Sequence, residues 1–160
     1  FAPIKQLRLN MVAQKATELG ASMLIPCLTE YTNNRSVNIK NIKLNAIEAA
    51  EQSGRLDIPK IEKPLSINSI LTSWPEDRYL IYCDEKNVNK KNILESLLSL
   101  QNNIKKYAVL VGPEGGFSDL DSELLIKNKN VVQISLGNRL LRSDTAITVS
   151  LFCIGLLLNE

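Results

Sequence analysis

Apolar residues recur at helical spacing through residues 7–19, where Leu9, Val12, Ala13, Ala16 and Leu19 form one stripe and Gly20 supplies a stop. Residues 22–28 (SMLIPCL) predict a strand, with Pro26 bending it or holding it at a sheet edge. Residues 29–38 are polar and predict a loop, and 40–53 carry a second helical pattern ending at Gly54. A connector containing Pro59 and Pro64 leads to a short helix over 67–73. Strands and helices then alternate: strand 79–83, helix 90–100, strand 107–111, helix 118–127, strand 131–135 and a closing helix over 143–158. Strands separated by helices need crossover connections. The pattern therefore predicts a single α/β domain over residues 1–160, a largely parallel sheet flanked by helices.

Composition narrows this picture. A chain of 160 residues with 44% hydrophobic content suffices for one compact α/β core. The start at Phe1 has no basic stretch leading into an apolar run, so no secretory leader is expected, and the abrupt opening suggests a domain cut from a longer protein. The apolar stretch 145–159 is too short to span a bilayer and predicts a buried helix, so no membrane partner is expected. Cys27, Cys83 and Cys153 are far apart in apolar runs, which predicts reduced core thiols in a cytoplasmic protein and no metal site. Net charge is +2, which permits a nucleic-acid partner without requiring one. The chain has no histidine, so any chemistry rests on backbone groups, carboxylates, hydroxyls and arginines.

Two segments stand out. Residues 109–117 (VLVGPEGGF) run from an apolar strand into a glycine-bearing bend, after which Ser118 and Asp121 make a capping-box pattern. The glycines permit left-handed backbone and close approach of a ligand. Neither a Walker loop nor a dinucleotide fingerprint is present, because the Gly-Lys-Ser/Thr and G-x-G-x-x-G spacings are absent. The plainer reading is a tight strand-to-helix turn, although ligands of open α/β sheets do gather at the carboxyl ends of strands. Residues 135–146 (SLGNRLLRSDTA) break at Gly137 and Asn138, place Leu140 and Leu141 inside a connector, and set Arg142 just before the cap Ser143. Either another loop covers that leucine pair, or the pair walls an adenine-sized slot contacted by main-chain groups of Ile134, Leu136 and Leu140.

Together these segments resemble the 16S ribosomal RNA uracil-N(3)-methyltransferase family, a branch of the SPOUT (α/β-knot) methyltransferases. Residues 14–21 (QKATELGA) resemble that family's first-helix signature, and residues 48–55 (EAAEQSGR), followed by Pro59, its second. The four blocks fall in the family's order over roughly residues 11–150. The chain departs mildly at 143–144, where Ser143 and Asp144 replace a frequent threonine and glutamate but keep a capping hydroxyl and a helix-start carboxylate. The resemblance implies S-adenosyl-L-methionine as cofactor, a C-terminal trefoil knot around it, and a homodimer with the site near the subunit interface. It also implies an N-terminal PUA-like RNA-binding domain, which is expected to be missing from this sequence.

On that resemblance the reaction moves a methyl group from a sulfonium to the imide nitrogen N(3) of a uridine in 16S rRNA or the small ribosomal subunit. Arg142 is the candidate to stabilise the uracil anion, and Glu114 is either a base or a brace of its loop. Cofactor contacts are expected from Gly112, Pro113, Gly115, Gly116, Ile134, Leu136, Gly137, Leu140 and Leu141, with Thr145 and Ala146 at the start of the last helix. Asp84 and Glu85, after strand 79–83, fall nearby; they either offset the sulfonium charge or end a solvated loop. Arg35 and Arg55 are the RNA-contact candidates, and Glu48, Glu51, Gln52 and Arg55 share one helical face. Two other readings compete: a knotted dimerisation or RNA-binding module without turnover, and a general nucleotide-binding α/β domain using 112–116 as a phosphate loop.

Overall fold

A computed structural model describes residues 1–86, 91–100 and 106–158. Helix α1 (Gln6–Glu18) buries Leu9, Val12, Ala13 and Ala16, the predicted stripe. Helix α2 (Ile39–Ser53) starts at Asn38, whose side chain accepts the Asn41 N–H, and stops at Gly54, which takes φ +70°. Glu48, Glu51 and Gln52 lie on its exposed side.

Residues 22–28 do not make one strand. They split into β1 (Met23–Leu24) and β2 (Cys27–Leu28), which pair in parallel with β3 (Lys60–Ile61) and β4 (Leu65–Ser66) in two separate ladders. Pro26 explains the break: it has no N–H to donate, and its carbonyl accepts from Leu65 N at 3.0 Å. The connector after Gly54 thus contributes two short strands. The amino-terminal segment stitches this region to the main sheet, since Cys27 N donates to Phe1 O at 2.7 Å and Ala2 N donates to Val111 O at 2.9 Å.

Helix α3 (Ile67–Thr72) is capped by Ser66 and leads to the three-stranded parallel sheet, ordered β6 (Lys106–Val111), β5 (Arg78–Cys83), β7 (Val131–Ile134). Every strand pairing among the described residues is parallel, as the alternation of strands and helices predicts, but the strands form three sheets rather than one. Along β5, Ile81 and Cys83 pack with α1 residues Leu9 and Val12, while Leu80 and Tyr82 pack on the opposite side. This period of two buries both faces, so the strand reads as a continuous apolar run. Helix α4 (Ile93–Leu100) and helix α6 (Ser143–Leu158) join the first layer; α3 and helix α5 (Asp119–Lys127) form the second. Lys90, the first residue of the predicted fourth helix, lies outside the described residues. Helix α6 is buried on one face only, through Ala146, Ile147, Ser150 and Ile154; Val149, Phe152 and Leu156 are exposed on the other.

Candidate functional site

Strands β5, β6 and β7 run in parallel, so their carboxyl ends meet at one edge of the sheet, and the two glycine turns leave from that edge. In the first turn Gly112 precedes Pro113, which restricts it to extended backbone, and Gly116 takes φ +70°. The turn ends in a complete capping box: Asp121 N donates to Ser118 Oγ at 3.1 Å, and Ser118 N donates to Asp121 Oδ2 at 3.4 Å. In the second, Gly137 takes φ +104°, and its N–H donates to Ser135 Oγ at 3.2 Å. The Ser143 hydroxyl donates to the Gly112 carbonyl at 2.8 Å and joins the turns.

Between them lies a cavity of about 180 Å³. Of the expected cofactor-contact residues, Gly112, Pro113, Gly116, Leu136, Gly137, Leu140, Leu141 and Ala146 line it. Asp84 and Glu85 line it too, from the end of β5. Among the described residues no protein acceptor takes the main-chain N–H of Leu136, Asn138, Leu140 or Leu141. The cavity therefore offers a partly apolar wall with spare amides, which suits an uncharged heterocycle held by main chain.

The other candidates lie elsewhere. Gly115 packs against Tyr31, whose Cβ would stand 3.5 Å from an added methyl. Ile134 is fully buried, and its carbonyl accepts from Asp84 N at 3.1 Å, so it belongs to the sheet rather than to the cavity wall. Thr145 is exposed on α6. Glu114 turns outward and pairs with Arg8 of α1 at 3.0 Å, which matches the brace rather than the base. Arg142 is exposed beside the cavity, and its carbonyl accepts the Ala146 N–H at 2.8 Å as α6 begins. Arg35 is exposed on the 29–38 loop. Arg55, the other RNA-contact candidate, is bonded within the chain. Its Nη1 donates to Thr17 O and Ala21 O at 2.6 and 3.0 Å, and its Nε and Nη2 fork onto Asp57 at 3.1 and 2.7 Å. An arginine satisfying carbonyls at a helix carboxyl end is a local structural clamp.

Among the lining residues that sequence reasoning missed are Phe117, Asn138 and Arg139. Phe117 supports the first turn from below: its ring meets Tyr82 edge-on, with centroids 4.9 Å apart and planes at 88°. A bulky residue directly after paired glycines was the available signal. Arg139 was readable only as the cation within the connector.

Burial and the neighbouring Asp84 charge push the Glu85 carboxyl above its ordinary range, and burial pushes the Cys83 thiol up to about 12. Asp84 is engaged on both oxygens, by Lys86 N at 3.0 Å and Gln133 Nε2 at 2.5 Å. Two carboxylates on one wall suit a cationic ligand and oppose a phosphate, which counts against the nucleotide-loop reading. The described residues contain no cluster of three potential metal ligands and no helix long and apolar enough to cross a membrane.

Comparison with known proteins gives this geometry a family. An RNA methyltransferase domain family matches residues 1–155. The ribosomal RNA small subunit methyltransferase E of Rickettsia conorii is 38% identical over 156 residues, covering 98% of this chain and 62% of the relative. A Legionella pneumophila protein described as a methyltransferase, solved in complex with bound SAM, superposes with a TM-score of 0.81 at 27% identity, covering 97% of this chain and 63% of its own. The ribosomal RNA small subunit methyltransferase E of Neisseria gonorrhoeae, bound to S-adenosyl methionine, shares the fold with a TM-score of 0.85 at 22% identity, covering 98% of this chain and 63% of its own. The chain thus spans less than two thirds of the length of each of these proteins.

Proposed function

Since the chain belongs to the RNA methyltransferase domain family, we propose that it is the cofactor-binding, methyl-transferring part of a small-subunit ribosomal RNA methyltransferase that modifies N(3) of a uridine in 16S rRNA. The observation that carries this reading is the convergence of the two glycine turns on one cavity at the carboxyl edge of the parallel sheet. The residues present fit S-adenosylmethionine. Leu136, Leu140 and Leu141 supply apolar wall and spare amides for the adenine, and the Gly112–Gly116 turn lets main chain approach closely. Bound there, the cofactor supplies a methyl group on a good leaving group, so no metal is called for.

The chain's own residues then have two tasks: holding the uridine in line and easing loss of its N(3) proton. Arg142, exposed at the rim next to the second turn, is our candidate to stabilise the uracil anion. Glu114, paired with Arg8, braces the first turn against α1. Arg35, on an exposed polar loop, is our candidate for a phosphate contact. The reading carries with it a trefoil knot, a cytoplasmic location and a homodimer. For the dimer, the support is apolar surface on two packed helices, Leu7 and Met11 of α1 and Val149, Phe152 and Leu156 of α6.

The test is methyl incorporation from labelled S-adenosylmethionine into small ribosomal subunits lacking the modification, with the product nucleoside identified by mass spectrometry. N(3)-methyluridine is the expected product. Another methylated nucleoside would refute the position, and failure to bind S-adenosylmethionine in calorimetry would refute the function.

A further inference from the structure

The charged side chains lining the cavity are Asp84, Glu85 and Arg139. Asp84 is held by Lys86 N and Gln133 Nε2. The Lys86 ammonium donates to Phe117 O at 2.9 Å and lies 3.9 Å from Asp119; its charge acts on Glu85 without pairing with it. Among the described residues the Glu85 carboxylate has neither a hydrogen-bond nor an ion-pair partner. It nonetheless lies over the first turn: a methyl added at Gly116 would meet Glu85 Oε1 at 2.6 Å. Gly116, at φ +70°, thus gives the carboxylate a seat that any larger residue would occupy.

We propose that Glu85 supplies the counter-charge for the cofactor's sulfonium, so that the pocket holds S-adenosylmethionine more tightly than its neutral thioether product. This inference rests on the function proposed above and deepens it into a selectivity between the two forms of the cofactor. The methylated donor carries one positive charge that S-adenosylhomocysteine lacks; adenine, ribose and the amino-acid end are common to both. An unpartnered carboxylate distinguishes them by that charge alone. In a partly screened pocket, between the limits of bulk water and a protein surface, one unit of charge is worth roughly tenfold in affinity. Product release benefits directly, because transfer of the methyl group removes the attraction.

Calorimetric titration of the chain with each form of the cofactor tests this through a charge series: wild type, Glu85→Gln and Glu85→Lys. S-adenosylmethionine affinity should fall about tenfold at each step while S-adenosylhomocysteine affinity stays within about twofold. Retained binding of the thioether doubles as proof that each variant folds. Equal losses for both forms would overturn the inference by assigning Glu85 to the shared ribose or amino-acid end, and unchanged affinities would overturn it outright. A wild-type chain that binds neither form would instead refute the proposed function, and this inference with it.

Discussion

Gly112→Ala isolates what the first turn requires. A methyl at this position would stand 2.7 Å from Phe117 Cε2, 3.0 Å from Cδ2 and 3.2 Å from Cζ. The ring has little room to retreat: Phe117 is buried, it meets Tyr82 edge-on, and the Tyr82 hydroxyl is itself bonded to Ser122 Oγ at 3.0 Å. Overpacking of this kind costs about 1–3 kcal/mol, which in a chain of this size lowers the melting temperature by about 3–10 °C. Because Gly112 also lines the cavity and accepts the Ser143 hydroxyl, S-adenosylmethionine affinity should fall as well. Gly54→Ala is the control. Gly54 takes φ +70° with nothing within 4 Å of the added methyl, so it incurs only left-handed strain, about 1 kcal/mol, without loss of affinity. Phe117→Leu should relieve the clash, giving a coupling of more than about 0.5 kcal/mol in a double-mutant cycle read by urea denaturation. A Gly112→Ala variant that melts with wild type and binds the cofactor normally would refute the packing account.

Arg55→Ala should cost about 1.5–3 kcal/mol in urea denaturation by releasing the Thr17 and Ala21 carbonyls, and lysine should not rescue it because the forked geometry is lost. Arg142→Ala should leave stability within about 0.5 kcal/mol of wild type and cofactor affinity intact but slow methyl transfer by about 10²–10³; near-normal turnover removes Arg142 from the mechanism. Burial raises the Cys27 thiol to about 11 and the Cys83 thiol to about 12, from an ordinary value of 9.0. Above pH 9 the unfolded chain therefore gives up thiol protons that the folded chain keeps, so stability should decline from about pH 9 to 12, visible as a falling urea midpoint. The Cys27→Ser/Cys83→Ser double variant should flatten that decline.

Local signals were legible in the sequence. Gly54 as a stop and Ser118 with Asp121 as a capping box depend on residues within one helical turn, whereas Ser143, read as a cap, is the first residue of α6 and gives its hydroxyl to Gly112 O instead. Period-two burial in β5 was legible only as an unbroken apolar run, because both faces of the strand are covered. The split at Pro26 was half visible: the proline announced a bend, but two-residue strands carry no period, so β3 and β4 had no signature. Partnerships across the chain left no trace either. Arg55 closes on carbonyls 34 and 38 residues away, and Glu114 on an arginine 106 residues away. Each looks in sequence like an ordinary surface charge. Leucines within a connector signal apolar wall and do line the cavity, whereas Ile134 closes the sheet, since the final residue of a strand can serve either.

The hydroxyl that Ser143 lends to Gly112 joins stretches 31 positions apart in the chain. The two lips of the cavity are therefore coupled: parting them breaks this bond. Amides on both sides should exchange with deuterium through one shared opening, and a bound guest should slow them in unison. Admission and discharge then pass through the same opening step.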